Sequence, residues 1–243
     1  MNRLENKVAL ILGGAKGIGL AISQRFAREG ATTWFTSRRN EELEAASLTI
    51  EGNARPLRAD VSQLSELTRI VGVIEAESGQ IDVLVINAGM AEYSTIDKVT
   101  PEHFDNIFSL NVRSPLFALQ AALPLMKEGA SVVLIGSIAD VIGTSGYGVY
   151  GASKAALRSF ARTWTRELSA RGIRINVVAP GPIDTEMMQA ASEEVRSGII
   201  SAIPLSRMGR TEEVANTALF LASDESSYIA GAEICVDGGL TQV

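Results

Sequence analysis

Metal and disulfide chemistry are the first things this chain is short of. A single cysteine, Cys235, leaves no partner for an intrachain disulfide, and the single histidine, His103, cannot join it in a Cys/His zinc site. The same scarcity excludes zinc-dependent alcohol oxidation and makes a Ser-His-Asp mechanism a poor fit. Long apolar runs are missing too. The longest, such as residues 8–12 and 132–135, fall far short of the roughly 20 residues that a bilayer-spanning helix needs. The polar start Met1-Asn2-Arg3-Leu4-Glu5-Asn6 lacks the apolar core of a signal peptide, so a cytoplasmic location and no membrane partner are expected. Positive charge is in the minority, 22 Lys and Arg against 28 Asp and Glu, which argues against a nucleic-acid partner because phosphate backbones attract clustered cations. No linker, repeat or low-complexity tract divides the 243 residues, so they read as one domain. His103 falls in the first turn of a helix announced by Thr100-Pro101 and is expected at the surface.

What the chain has in quantity is alternation. Short apolar runs at residues 7–12, 31–36, 55–59, 81–86, 131–136, 173–178 and 233–236 are separated by longer stretches with helical signals, including a stop at Arg28-Glu29-Gly30. Runs that are apolar on both faces suit a parallel sheet covered by helices on each side. The expected fold is α/β, a single-domain doubly wound parallel sheet of the Rossmann type with about seven strands.

The first run leads into Gly13-Gly14-Ala15-Lys16-Gly17-Ile18-Gly19, whose glycines permit close backbone approach just before a helix. The free N–H groups of such a helix start attract a pyrophosphate. Farther along, Tyr150 and Lys154 stand four residues apart, on one face of a helix. A cation beside a phenol lowers its pKa from about 10 and suits the pair to exchange protons with an alcohol or carbonyl. Ser137 follows the fifth run, at the carboxyl end of the sheet where open α/β folds bind ligands. Pro115 cannot supply the N–H that the Asn111 carbonyl would accept, which leaves either a plain kink or a carbonyl free for other use.

The spacing Gly13-x3-Gly17-x-Gly19 with Tyr150-x3-Lys154 downstream resembles the short-chain dehydrogenase/reductase family, in its 3-oxoacyl reductase-like, NADP-preferring branch. The likeness continues through Asp60-Val61, Asn87-Ala88-Gly89, Asn111, Ser137, Pro180-Gly181 and Val236-Asp237-Gly238-Gly239. It implies that Ser137 holds the substrate oxygen, that Tyr150 exchanges the proton, and that Lys154 lowers the Tyr150 pKa while holding the nicotinamide ribose. It also implies that the Asn111 carbonyl binds a water leading to Lys154, and that Ile183 and Thr185 lie near the nicotinamide. Leu12 departs from the pattern, since relatives carry a Thr there that braces the strand-four loop.

At the end of the second run, Thr36-Ser37-Arg38-Arg39 holds no acid where a carboxylate would read an unmodified ribose. Arg38 and Lys16 are expected to meet a 2′-phosphate, selecting NADPH; the alternative is a pair of ordinary surface cations. Gly13, Gly17, Ile18, Gly19, Ser37, Asp60, Val61, Asn87, Ala88 and Gly89 are further expected cofactor contacts, with Tyr150, Lys154, Pro180, Gly181, Ile183 and Thr185 completing them. Val141, Tyr147, Met187 and Met188, with Ser137 and Tyr150, would line a mostly apolar substrate pocket under a helical lid at 186–207. A small-molecule ketone or secondary alcohol fits that pocket. Small and aromatic residues on more than one face of the helix around 150–171 suggest a homo-oligomer, which the resemblance implies is a tetramer or dimer. Beside a ketone-reducing enzyme stand two rival readings: an NAD(P)-dependent alcohol dehydrogenase working oxidatively, and a non-catalytic dinucleotide sensor.

Overall fold

The computed structural model describes residues 2–189 and 191–243. Each apolar run becomes a strand: β1 (Val8–Leu12), β2 (Thr32–Ser37), β3 (Ala54–Arg58), β4 (Val83–Ile86), β5 (Ser131–Ile135), β6 (Arg174–Pro180) and β7 (Glu233–Val236). They pair in parallel in the order β3-β2-β1-β4-β5-β6-β7. The order reverses between β1 and β4, the kind of switch point where open sheets leave a crevice at their carboxyl ends. Pro56, which cannot donate to a ladder, lies in β3 at the sheet edge.

Helices cover both faces: α1 (Gly17–Arg28), α2 (Asn40–Ser47), α3 (Leu64–Ser78), α4 (Pro101–Phe108), α5 (Ser114–Ala122), α6 (Gly148–Leu168), α7 (Glu186–Gln189), α8 (Glu193–Ala202) and α9 (Thr211–Ala222). Successive strand residues point to opposite faces, so each strand feeds two cores. Leu10, Leu84, Val132 and Leu134 pack with Ile70 and Ile74 of α3, Leu119 of α5 and Trp164 of α6. Ala9, Ile11, Val85 and Val133 pack with Phe26 of α1 and Leu219 of α9. A fully buried Leu, Ile or Phe contributes about 1.5–3 kcal/mol, so these central strands hold the platform on which the loops stand.

Two expectations are corrected in detail. The proline at 115 does not make a plain kink: between α4 and α5 the chain widens into a π-helical turn, Ser109–Arg113, centred on Asn111. In that turn the Ser114 N–H reaches the Ser109 carbonyl five residues back, and Pro115 has no N–H to offer the Asn111 carbonyl. His103 is half-buried, not on the surface, because its ring lies 3.5 Å from the Glu92 carboxylate while Thr100 caps its N–H. Among the described residues no helix is long and apolar enough to cross a membrane.

Candidate active site

Loops from the carboxyl ends of β1 to β6 enclose a cavity of about 640 Å³. The β1 loop supplies Gly13, Lys16, Gly17 and Ile18; the next two supply Ser37, Arg38, Asp60 and Val61; the β4 loop supplies Asn87, Ala88 and Gly89. Ser137, Tyr150 and Lys154 form one wall, and Pro180, Gly181, Ile183, Thr185 and Met188 another. Sites scattered over the sequence thus converge. Three expected positions do not reach the cavity wall. Gly19 is a packing residue: a Cβ there would overlap the Gly13 carbonyl oxygen, so its role is to let α1 close on the β1 loop. Val141 is 63% exposed and Tyr147 packs edge-on against Tyr150, so neither lines the cavity. The side chain of Met187 lies outside what the structure describes. Met90 and Leu110, which no motif marked, take their place as apolar lining.

The glycine loop is held by backbone. Gly13 has φ of +77°, and a Cβ there would meet Ala88 Cα at 2.9 Å. The Asn87 side-chain amide donates to the Gly13 carbonyl at 2.7 Å, and Thr36 Oγ1 accepts from the Gly13 N–H at 3.0 Å. The bracing that Leu12 put in question comes from its own carbonyl, which accepts from the Asn87 and Ala88 N–H groups at 3.1 and 2.8 Å. α1 then starts at Gly17, φ +50°, with no side-chain cap and no acid in its first turn. Its leading N–H groups are therefore left for an anion. Gly19→Ala should cost at least about 3 kcal/mol and lower Tm by about 6–12 °C, with loss of dinucleotide binding, in a thermal melt and a nucleotide titration.

Sequence spacing gave no sign of Glu42. From α2 its carboxylate enters the cavity lining, accepts from Ser37 Oγ and Arg39 Nη2, and lies 3.5 Å from Lys16 Nζ. Lys16 also reaches Glu186 at 3.2 Å, tying the glycine loop to α7. Lys16, one of the two cations expected to hold a 2′-phosphate, is thus paired with an acidic side chain, while the Glu42 contact on the arginine side is made by Arg39.

Tyr150 sits in the first turn of α6, and Lys154 one turn on. Lys154 is 5% exposed; its Nζ donates to the Ile135 carbonyl at 2.9 Å and lies 5.7 Å from the Tyr150 ring centroid. Burial holds its ammonium down to about 8, opposed by attraction to Asp140. The Tyr150 pKa stands above its ordinary value, because burial outweighs the lowering influence of the Ser137 hydroxyl and Asp140 adds a like-charge effect. The expectation that Lys154 lowers this pKa is not met: the phenol is desolvated, and the ammonium, bonded to Ile135, does not offset it. Ser137 caps the turn Ile138–Asp140 by accepting from the Ala139 N–H at 3.2 Å. The Asn111 side chain holds the surroundings, its Oδ1 accepting from Met90 N and its Nδ2 donating to Met90 O and Ser153 Oγ, each at 2.9 Å. Ser153 in turn donates to the Tyr150 carbonyl at 2.6 Å.

The family model described as enoyl-(acyl carrier protein) reductase matches residues 13–241. The chain is 42% identical over 246 residues to an oxidoreductase, asL5, of Sarocladium schorii, covering 100% of this chain and 99% of that protein. It is 39% identical to the 3-oxoacyl-(acyl-carrier-protein) reductase FabG of Thermotoga maritima, covering 98% and 99%. Among solved structures, a short-chain dehydrogenase/reductase from Serratia marcescens superposes with a TM-score of 0.94 at 33% identity, covering 98% of this chain and 99% of that one.

Proposed function

Since this chain belongs to the short-chain dehydrogenase/reductase family of oxidoreductases, we propose that it transfers hydride between NADPH and a ketone or secondary alcohol, with Tyr150 as the proton donor. The observation that carries this reading is the meeting of Ser137, Tyr150 and Lys154 on the wall of the same cavity that the glycine loop opens into. The cavity suits a dinucleotide. An uncapped helix start and glycines without room for a Cβ suit a pyrophosphate, and Lys16 with Arg38 suit a 2′-phosphate. A Cβ on Gly89 would stand 3.4 Å from Lys154 Nζ, so its absence leaves space for a ribose beside the lysine.

When bound, the nicotinamide would supply the hydride. The protein's part is to hold the carbonyl oxygen and protonate it as charge develops there. Ser137 Oγ donates to that oxygen. Tyr150, kept protonated at neutral pH by its raised pKa, gives it the phenolic proton. Lys154, with a pKa held to about 8, is a closer match to neutral pH than an ordinary lysine and returns a proton to Tyr150. The π turn at Asn111 supports the reading that its carbonyl holds the water that recharges Lys154. The same residues serve either direction, and the ratio of reduced to oxidised cofactor decides which one runs.

The apolar lining of Met90, Leu110 and Met188 supports an uncharged or amphiphilic ketone, and the relatives named 3-oxoacyl reductases support a 3-oxoacyl thioester. We assign α7 and α8 to a lid over this pocket. The Lys16–Glu186 pair is its tether to the glycine loop. The outer face of α6 leaves Ala152, Ala155 and Ser159 exposed, and Phe104 of α4 and Leu116 of α5 are exposed apolar residues, which supports a homo-oligomer measurable by light scattering. A cytoplasmic enzyme fits the sequence throughout. The direct test is NADPH oxidation against a panel of 3-oxoacyl thioesters and neutral ketones. NADPH binding without turnover of any carbonyl would favour a sensor instead.

Cofactor choice has its own test. Lys16→Ala/Arg38→Ala is expected to reduce the NADPH-to-NADH ratio of kcat/KM by about 10- to 100-fold, the loss of one or two charge-assisted contacts. Glu42→Gln, by freeing Lys16 and Ser37, is expected to tighten NADPH binding in a fluorescence titration. Weakened NADH binding with NADPH unchanged would instead make Glu42 a reader of an unmodified ribose.

A further inference from the structure

Asp140 and Glu233 have no part in the chemistry described so far, yet they lie against it. Asp140 ends the short turn that begins at Ser137, and Glu233 opens β7. Asp140 Oδ1 and Glu233 Oε1 are both sealed from solvent, and neither receives a hydrogen bond from any N–H or O–H of the described residues. The two side chains face each other closely enough for Asp140 to raise the Glu233 carboxyl. Two buried carboxylates cannot satisfy one another while both are ionised, since each offers only lone pairs. One proton between them removes both defects at once: the protonated oxygen donates, the other accepts.

The surroundings define what that proton affects. Tyr150, Lys154 and Arg158 follow one another at four-residue intervals down one face of α6. Arg158 Nε lies 3.4 Å from Glu233 Oε2, and its Nη1 donates to the Gly231 carbonyl at 2.6 Å. Asp140 acts on both Lys154 and Tyr150, favouring the ammonium of one and the neutral phenol of the other. The other ionisable groups near the pair are Arg162 on α6, Cys235 on β7 and Asp237 just beyond it. Burial and the neighbouring Asp140 push the Glu233 carboxyl up to about 7.

We propose that Asp140 and Glu233 share a single proton and together act as a positioning pair that sets the protonation of Tyr150. This deepens the catalytic reading above and rests on it for its meaning, though not for its measurement. With the proton in place, the pair holds one negative charge beside the Tyr150–Lys154 dyad. Once the proton leaves, a second negative charge joins it. That charge opposes phenolate formation and keeps Tyr150 an acid at alkaline pH, where an isolated tyrosine would begin to fail as a donor. The pair preserves the protonated phenol that carbonyl reduction needs, most strongly above neutrality.

Two readouts that need no turnover test this. An infrared titration of the wild-type protein should show a protonated carboxyl band at pH 6 that disappears near pH 7, and Asp140→Asn and Glu233→Gln should each abolish it. An ultraviolet titration of the phenolate, with Tyr150→Phe as blank, should show Tyr150 ionising at lower pH in both variants than in wild type. In a carbonyl-reduction pH profile, the variants should lose activity several-fold on the alkaline limb while Glu233→Gln keeps the wild-type rate below pH 6. Absence of the band in wild type, or its survival in both variants, overturns the shared proton. An unmoved Tyr150 titration overturns the positioning role. Glu233 also gives a check on folding. Its raised pKa makes its contribution to stability complete below about 4.5 and lost as pH rises through about 7, so wild-type Tm should fall across that window and Glu233→Gln should not.

Discussion

Tyr150→Phe is expected to lower kcat/KM for carbonyl reduction by about 10²- to 10⁴-fold, the usual weight of a positioned general acid, while NADPH affinity stays unchanged. The reasoning starts from burial. The phenol is desolvated and its pKa raised, so at neutral pH the proton is present and available to a neighbouring oxygen. Phenylalanine keeps the ring, its edge contact with Tyr147 and its place in the first turn of α6, so only the proton is removed. Steady-state kinetics beside a nucleotide titration would check this. A variant that turns over at the wild-type rate would move the acid elsewhere, and Tyr147 is the nearest candidate.

Lys154→Met should abolish turnover and yet raise thermal stability. At about 1.4 kcal/mol per pKa unit, depression of the buried ammonium from 10.5 to about 8 costs the fold about 3 kcal/mol at neutral pH. Methionine restores most of the volume without the charge, but leaves the Ile135 carbonyl without its donor, an offset of about 1–2 kcal/mol. The net gain of about 1–2 kcal/mol corresponds to a Tm higher by about 2–8 °C. The sign with pH is fixed. The folded pKa is depressed, so the cost is complete below about 8 and gone above 10.5. Calorimetry should find the advantage of the methionine variant shrinking across that interval. A variant less stable than wild type at pH 7 would show that the lysine's contacts outweigh its desolvation. Such opposition between stability and activity is expected where a charge is buried for function.

Strands were legible because buried parallel strands must be apolar on both faces, which short runs such as Val83–Ile86 display without help from their neighbours. The glycine loop and the Tyr150–Lys154 pair were legible because each is a local pattern with a local cause. Gly19 was assigned to the cofactor because spacing alone does not distinguish a glycine that clears room for a ligand from one that clears room for a carbonyl. Glu42 was missed because it enters from the helix after Ser37, a position that carries no sequence signature. The Asp140–Glu233 pair was out of reach for a stronger reason: its partners come from a turn after β5 and from the last strand, and only the finished sheet brings them together. Tyr150 shows the limit from the other side. Its partner was visible, but whether burial or the cation governs its pKa depends on solvent access that no spacing encodes.

The Asn111 amide pairs with both the N–H and the C=O of Met90, as a residue of a neighbouring strand would. In effect a side chain continues the sheet beyond the end of β4, where the main chain can no longer do so. The loop carrying Gly89 and Met90 is consequently set during folding, and a ligand entering the cavity meets a wall whose freedom has already been surrendered. Binding energy there is left for discrimination between ligands, not for ordering the site.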